Sequence, residues 1–324
     1  MKTPSLWFNL LLTSLAPLVW GSTYIVTTQM LPADLPLLAS TLRALPAGLL
    51  LVMIYRKMPI GHWWLKIALL GMLNIGVFFY CLFSAAYYLP GGTAAVIMSC
   101  QPLLVMALSA LLFKEKITLV SIIALALGVA GIALLALKGN MVLNLQGIAF
   151  GLAGAASMAL GLVLTKYWGK PANFSLIDFT GWQLTFGGMA LLPITLYLEG
   201  IPPSLTEVNI LGYSYLCIIG SVVGYMIWFR GIAHLPVVTS SFLGFLSPIS
   251  AGVLGYLILD EQLTPMQWLG VLAILIAILL NRVTSQKKAK PQTPASAPKT
   301  ELMNANLVGN GLDRKDEMNA TRFI

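Results

Sequence analysis

From Leu6 to Arg282 the chain is an almost continuous series of apolar runs, each close to the roughly 20 residues a helix needs to cross about 30 Å of hydrocarbon. Charges, Pro-Gly clusters and amide-rich turns divide it into ten segments. They are Leu6–Thr28, Leu35–Tyr55, Trp64–Tyr87, Thr93–Phe113, Thr118–Leu137, Leu145–Tyr167, Leu176–Leu198, Ile210–Phe229, Val237–Leu259 and Pro265–Arg282. A backbone in hydrocarbon finds no water to bond, so each run has to satisfy its own amides as a helix. The connections are a few residues long except at Arg56–Trp63, Gly169–Ser175 and Glu199–Asn209, which leaves no room for an inserted soluble domain. With 58% hydrophobic and 9% charged residues, the chain could not cover a soluble globule, whose charged share is about 25%. The sequence thus predicts an all-α integral membrane protein. Lys2 ahead of the first apolar run suggests a cleavable leader, but the run is long and lacks a small-x-small cleavage site, so it is expected to remain as a span.

Lys and Arg in short loops mark the cytoplasmic side. With the N-terminus inside, all of the 19 bases except Arg43 and Lys138 fall on the inner side, while Asp34, Glu199, Glu207, Asp260 and Glu261 fall outside. Ten spans with both termini cytoplasmic satisfy this pattern, and nine or eleven would expose about half of the bases. The formal net charge of +8 therefore reads as an orientation signal in the cytoplasmic (inner) cell membrane, not as a nucleic-acid surface. From residue 284 the composition turns to Lys, Pro, Ser and Asn, as in Lys287-Lys288-Ala289-Lys290-Pro291. Residues 284–324 are expected to form a disordered cytoplasmic tail whose first bases meet anionic headgroups of the lipid bilayer. Glycosylation at Asn173 and Asn319 is not expected on that side.

The chain repeats itself. At an offset of 146 residues Leu89-Pro90, Thr93, Pro102, Leu108, Leu111, Glu115 and Thr118 meet Leu235-Pro236, Thr239, Pro248, Leu254, Leu257, Glu261 and Thr264. Gly21 meets Gly161 at a slightly shorter offset. Two units, 1–140 and 141–283, hold five spans each, and an odd number turns the second upside down relative to the first. The flanking charges agree: Lys114-Glu115-Lys116 ends the fourth segment and Asp260-Glu261-Gln262 the ninth. Inverted repeats of this kind place a substrate site near the midplane, open to each side in turn.

Trp20-Gly21-Ser22-Thr23-Tyr24, Arg43 before a run of small residues, Leu89-Pro90 with Thr93-Ala94-Ala95, the mid-span Pro102 and Pro248, and the helix-ending Glu115 and Glu261 carry a likeness over about Leu6–Asn281. In these features the chain resembles the EamA-type branch of the drug/metabolite transporter superfamily. The resemblance implies ten helices around a central cavity lined by the first, third, fourth, sixth, eighth and ninth spans, and export of a small metabolite.

Several residues are candidates for the substrate site. Trp20 and Tyr24 share a helix face at i, i+4, as do Asn74 and Phe78. Ser221, Tyr225 and Trp228 follow at i, i+4, i+7, and Phe242 adds aromatic surface beside Phe245. Ligand sites combine apolar and aromatic walls with a few convergent polar groups. Tyr24 and Trp228 could instead be headgroup anchors, the role expected of Trp7, Trp63, Trp64, Trp168 and Trp268. Gln101, an amide deep in an apolar run, needs a partner, which is either substrate or a neighbouring helix. Pro102 and Pro248 remove a backbone donor and free a carbonyl one turn back, making a hinge, a binding wall or a static kink. Arg43 is the one base that cannot easily reach water. It could neutralise a substrate carboxylate, or pair with Asp178 or a carbonyl; since the resemblance places the second span outside the cavity wall, a structural or gating role is expected.

No Asp or Glu is expected at mid-membrane, so a cationic substrate would lack a counter-charge, and neutral, zwitterionic or aromatic metabolites fit better. His62 and His234 fall in loops, Cys81, Cys100 and Cys217 in apolar runs, and neither a zinc motif nor a phosphate loop is present in the sequence. An enzyme, a metal site and a cofactor are therefore not expected. Small-residue stripes at Gly147/Gly151/Gly154, Gly220/Gly224 and Ala251/Gly255 pack helices within one chain and suit a monomer or a homodimer. The sequence supports a secondary transporter working by alternating access; the alternative is a membrane receptor or scaffold.

Overall fold

A computed structural model describes residues 5–32, 35–89, 97–114, 116–136, 144–259 and 264–288, leaving out the side chains of Tyr24, Ala86, Tyr87, Ala136 and residues 282–288. The repeat residues Thr93, Glu115 and Glu261, the boundary near 140 and most of the tail lie outside the described residues. The chain divides at Ser285, and all that follows concerns the unit Met1–Ser285.

Every regular element among the described residues is helical. Six helices are long and apolar enough to cross a membrane: Leu6–Met30, Pro36–Tyr55, Trp63–Ala85, Leu145–Trp168, Glu207–His234 and Val237–Ile258. Gln101–Phe113, Leu119–Leu135 and Pro265–Asn281 are shorter apolar helices. The seventh segment is a 23-residue helix, Leu176–Leu198, whose Thr180, Gln183, Thr185 and Thr195 are buried against protein.

The helix starts have identifiable acceptors. Ser175 and Asp178 form a capping box, and Asn144 accepts from the Gln146 and Gly147 amides. Thr206 and Asn209 form a second box, which begins the eighth helix at Glu207, three residues before the apolar run at Ile210. Leu35 offers no side-chain cap to the second helix, and Glu199 supplies it from 162 residues away. Its carboxylate accepts from the Leu37 N–H at 2.8 Å and the Leu38 N–H at 2.7 Å. The second and seventh helices then run together at backbone contact: a Cβ on Gly188 would lie 2.6 Å from the Leu45 backbone, and the Thr41 and Thr195 hydroxyls meet at 2.7 Å. Small residues give such pairs their dispersion contact in lipid.

Two departures from α geometry come in pairs, while the turn at Ser22 in the first helix has no counterpart in the continuous sixth. Met72–Val77 and Leu216–Val223 are π-helical, and the offset of 146 carries the first onto Ile218–Val223. The fourth helix is interrupted at Ser99–Cys100 and the ninth at Gly244–Phe245, with i→i−3 bonds such as Cys100 N–H to Ile97 O and Phe245 N–H to Phe242 O. Pro102 and Pro248 therefore sit in the first turn of a restarted helix, not mid-helix. There the missing N–H is one the helix would not have used, so the break lies just before each proline and not one turn back from it.

Packing partners pair in the same way. The first helix packs on the eighth and ninth, as the sixth packs on the third and fourth. The second helix lies against the π segment of the eighth, and the seventh against the π segment of the third. Each half thus places its second helix on the other half's third.

Candidate functional site

A π turn holds one extra residue, so its carbonyls fall out of the α ladder and can accept from outside the helix. In the eighth helix Gly220 O accepts from Trp20 Nε1 at 2.8 Å. The Trp20 ring lies 5.1 Å from Tyr225 and 5.2 Å from Trp228, and Phe79 joins Tyr225 at 6.5 Å. Gly224 makes room for this arrangement, since a Cβ there would come within 2.8 Å of Trp20 Nε1. Above Phe79 stands Arg43, its guanidinium carbon 4.8 Å from the ring centroid. Arg43 is only 5% exposed, and Gly220 lies beside its Nη2.

Four rings and one buried cation from the first, second, third and eighth helices thus meet beside a π segment. Arg43 Nε, Trp228 Nε1 and Ser221 Oγ are buried and have no hydrogen-bond partner among the described residues. The first two are donor-only groups, so the cluster has unspent donors.

Of the residues expected to bind substrate, Trp20, Tyr225 and Trp228 come together here. Trp228 is fully buried, which removes its reading as a headgroup anchor. Tyr24's side chain lies outside the described residues. Phe78 is half-buried and touches Phe79 at 5.6 Å, so its neighbour is the ring that faces the cluster. Phe79 was missed by i, i+4 spacing, although the offset of 146 sets it on Tyr225. Phe242 packs with Phe245 at 5.4 Å in a second cluster with Met106 and Ile274. Gln101 is half-buried at the restart of the fourth helix, beside buried Pro102, and Pro248 is half-buried at the corresponding restart.

Asn74 is placed differently. Its Nδ2 donates to Gln183 Oε1 at 2.9 Å and Thr165 Oγ1 at 3.1 Å, and Gly161 presses against its Oδ1. With no exposed surface, it joins the third, sixth and seventh helices, which corrects its expected place on a substrate wall. Arg43 brings the second helix, the span that the resemblance set outside the cavity wall, into contact with Phe79 of the third and Gly220 of the eighth. Asp178 is not its partner, being bonded to Ser175 and 4.0 Å from Lys57.

The EamA-like transporter family model matches the chain twice, over residues 7–137 and 145–283. The chain belongs to the EamA-like transporter family. Among its relatives, Protein PecM of Dickeya dadantii is 46% identical over 280 residues, covering 85% of this chain and 94% of PecM. The inner membrane transporter YedA of Escherichia coli is 29% identical over 293 residues, covering 87% of this chain and 92% of its own. A solved crystal structure superposes with a TM-score of 0.73 at 17% identity, covering 88% of this chain and 100% of its own, a likeness of fold. Relatives in this EamA group are transporters, and this chain is a multi-pass membrane protein of that group.

Proposed function

We propose that this protein is a secondary transporter that exports small organic metabolites, aromatic or amino-acid-like, across the cytoplasmic membrane by alternating access. In this reading ten helices cross the bilayer as two inverted five-helix units with both termini in the cytoplasm. Residues 284–324 form a cytoplasmic tail. The observation that carries the reading is the cluster of Trp20, Arg43, Phe79, Tyr225 and Trp228, drawn from both halves and holding unpartnered buried donors. Its setting supports it: paired interruptions at Ser99–Cys100 and Gly244–Phe245 give each half a place to bend while its neighbours stay packed.

Flux in proteoliposomes loaded with a panel of aromatic and amino-acid-like metabolites tests the activity, with saturable, protein-dependent efflux as the expected result. Absence of flux for every compound, together with tight binding of a soluble partner, would replace the reading with a scaffold. Cysteine labelling tests the topology, and Lys57→Cys is expected to react only from the cytoplasmic side. Reaction of that cysteine from outside overturns the orientation.

A further inference from the structure

The cluster joins a permanent charge to an aromatic enclosure, and the two together select a ligand class. A guanidinium cannot lose its proton in a protein, so a buried arginine has to be answered by an acceptor. Three carboxylates lie among the described residues, and none of them forms an ion pair with Arg43. Asp178 serves the Ser175 box and Lys57, Glu199 caps Leu37 and Leu38, and Glu207 stands exposed in the first turn of the eighth helix. What faces Arg43 instead is the Phe79 ring and Gly220, with Tyr225 6.5 Å from that ring. Ser221 and Trp228 bring their unpartnered groups from the same helix.

Resting on the transporter reading, we propose that Arg43 is the recognition group for the carboxylate of an aromatic organic anion. The planar guanidinium fork matches a carboxylate bidentately. Nε, left without a partner, is one tine of that fork. Trp20, Phe79, Tyr225 and Trp228, packed on one another beside it, are the rings against which an aromatic ligand would stack. An aromatic cation meets the charge of Arg43 head-on, and inorganic phosphate leaves four rings without a partner.

The test uses the full-length protein in proteoliposomes with three matched probes, indole-3-acetate, indole-3-acetamide and tryptamine, and with inorganic phosphate as competitor. The expected result is flux of indole-3-acetate at least about tenfold above the amide, no flux of tryptamine and no competition by phosphate. Arg43→Gln is expected to bring the acetate-to-amide ratio close to one, and Arg43→Lys to lower acetate flux while keeping the ratio above one. Because the ratio is taken within one preparation, it does not depend on how much protein folds. Equal flux of acid and amide in the wild type, an unchanged ratio in Arg43→Gln, or full competition by phosphate overturns the inference and leaves transport standing. If no probe moves, thermal shift decides. Stabilisation by indole-3-acetate in the wild type that is lost in Arg43→Gln supports the anion site while the transport reading fails, and its absence overturns both.

Discussion

Trp20→Phe removes one N–H and keeps most of a ring, which isolates the bond that ties the first helix to the π segment of the eighth. Trp20 Nε1 donates to Gly220 O at 2.8 Å, and Gly220 lies within Leu216–Val223, where the α ladder is displaced. With the donor gone, that carbonyl has to be satisfied from inside the protein. Hydrogen bonds between membrane helices average about 0.6 kcal/mol and reach about 1.7. A buried group left unpaired costs about 1–3 kcal/mol. Trp20 is half-buried, so a loss of about 1–2 kcal/mol is expected, raising the unfolding constant by about 5–30-fold. The smaller ring fits, because it retreats from the contact at Gly224. Trp20→Ala further removes the ring contacts at 5.1 and 5.2 Å with Tyr225 and Trp228, and should cost clearly more. Equilibrium unfolding of the purified variants in detergent, followed by circular dichroism, measures both. A Trp20→Phe protein as stable as wild type would show that the bond does not hold the π segment, and one as damaged as Trp20→Ala would show that the ring contacts add nothing to it.

Glu199→Ala leaves the Leu37 and Leu38 amides at the start of the second helix without their acceptor, and is expected to cost about 1–3 kcal/mol in the same unfolding assay. Glu199→Gln should recover part of that loss, because one carbonyl oxygen still accepts. Gln101→Ala is expected to lower flux in proteoliposomes severalfold at unchanged expression, and unaltered flux would remove Gln101 from the site.

The all-helical, apolar character of the chain was legible because a membrane imposes a minimum length and one polarity on each span, and six helices meet both while three apolar ones are shorter. The Ser175-x-x-Asp178 box was legible because it is local. What depended on distant partners was not. Glu199 reads as a loop acid until the fold brings Leu37 and Leu38 to it. Asn74–Phe78 and Ser221–Tyr225 have the same spacing, yet the first pair divides between a buried helix junction and the edge of the core, while in the second Tyr225 packs on Trp20 and Ser221 is buried with its Oγ unpartnered among the described residues. The difference lies in Gly161, which lets the sixth helix close over Asn74. The π segments were invisible to an apolar pattern, since one extra residue per turn changes the ladder and not the composition. Arg43 stood out as a lone charge, but its neighbourhood was set by the exchange of second helices between the halves.

That exchange also locates the asymmetry on which a substrate depends. The offset of 140 that sets Gly21 on Gly161 sets Arg43 on Gln183, and the offset of 146 sets Asn74 on Gly220. On one side Asn74 Nδ2 donates to Gln183 Oε1 at 2.9 Å, with Asn74 Oδ1 and Gln183 Nε2 left unpartnered among the described residues. On the other, Arg43 meets a glycine, so the position that closes the first junction is left without a side chain. A Cβ on Gly220 would find Arg43 Nη2 at 3.7 Å and Leu216 Cδ2 at 4.0 Å, which is ordinary contact. The Cβ of Gly220→Asn is therefore accommodated, and its Oδ1 is expected to accept from the guanidinium as Gln183 Oε1 accepts from Asn74. A hydrogen bond to a charged group contributes about 1.5–3 kcal/mol, of which desolvating the new amide takes part, so a net gain in stability of about 1 kcal/mol is expected. Transport should fall at least about tenfold, because the new side chain occupies the acceptor position a ligand would need. Gly220→Ala adds only the Cβ and should keep both stability and flux close to wild type. Unfolding and proteoliposome flux, measured on the same preparations, separate the outcomes. A Gly220→Asn protein that is stable and still transports would show that the gap beside Arg43 is a packing feature and not the substrate's place.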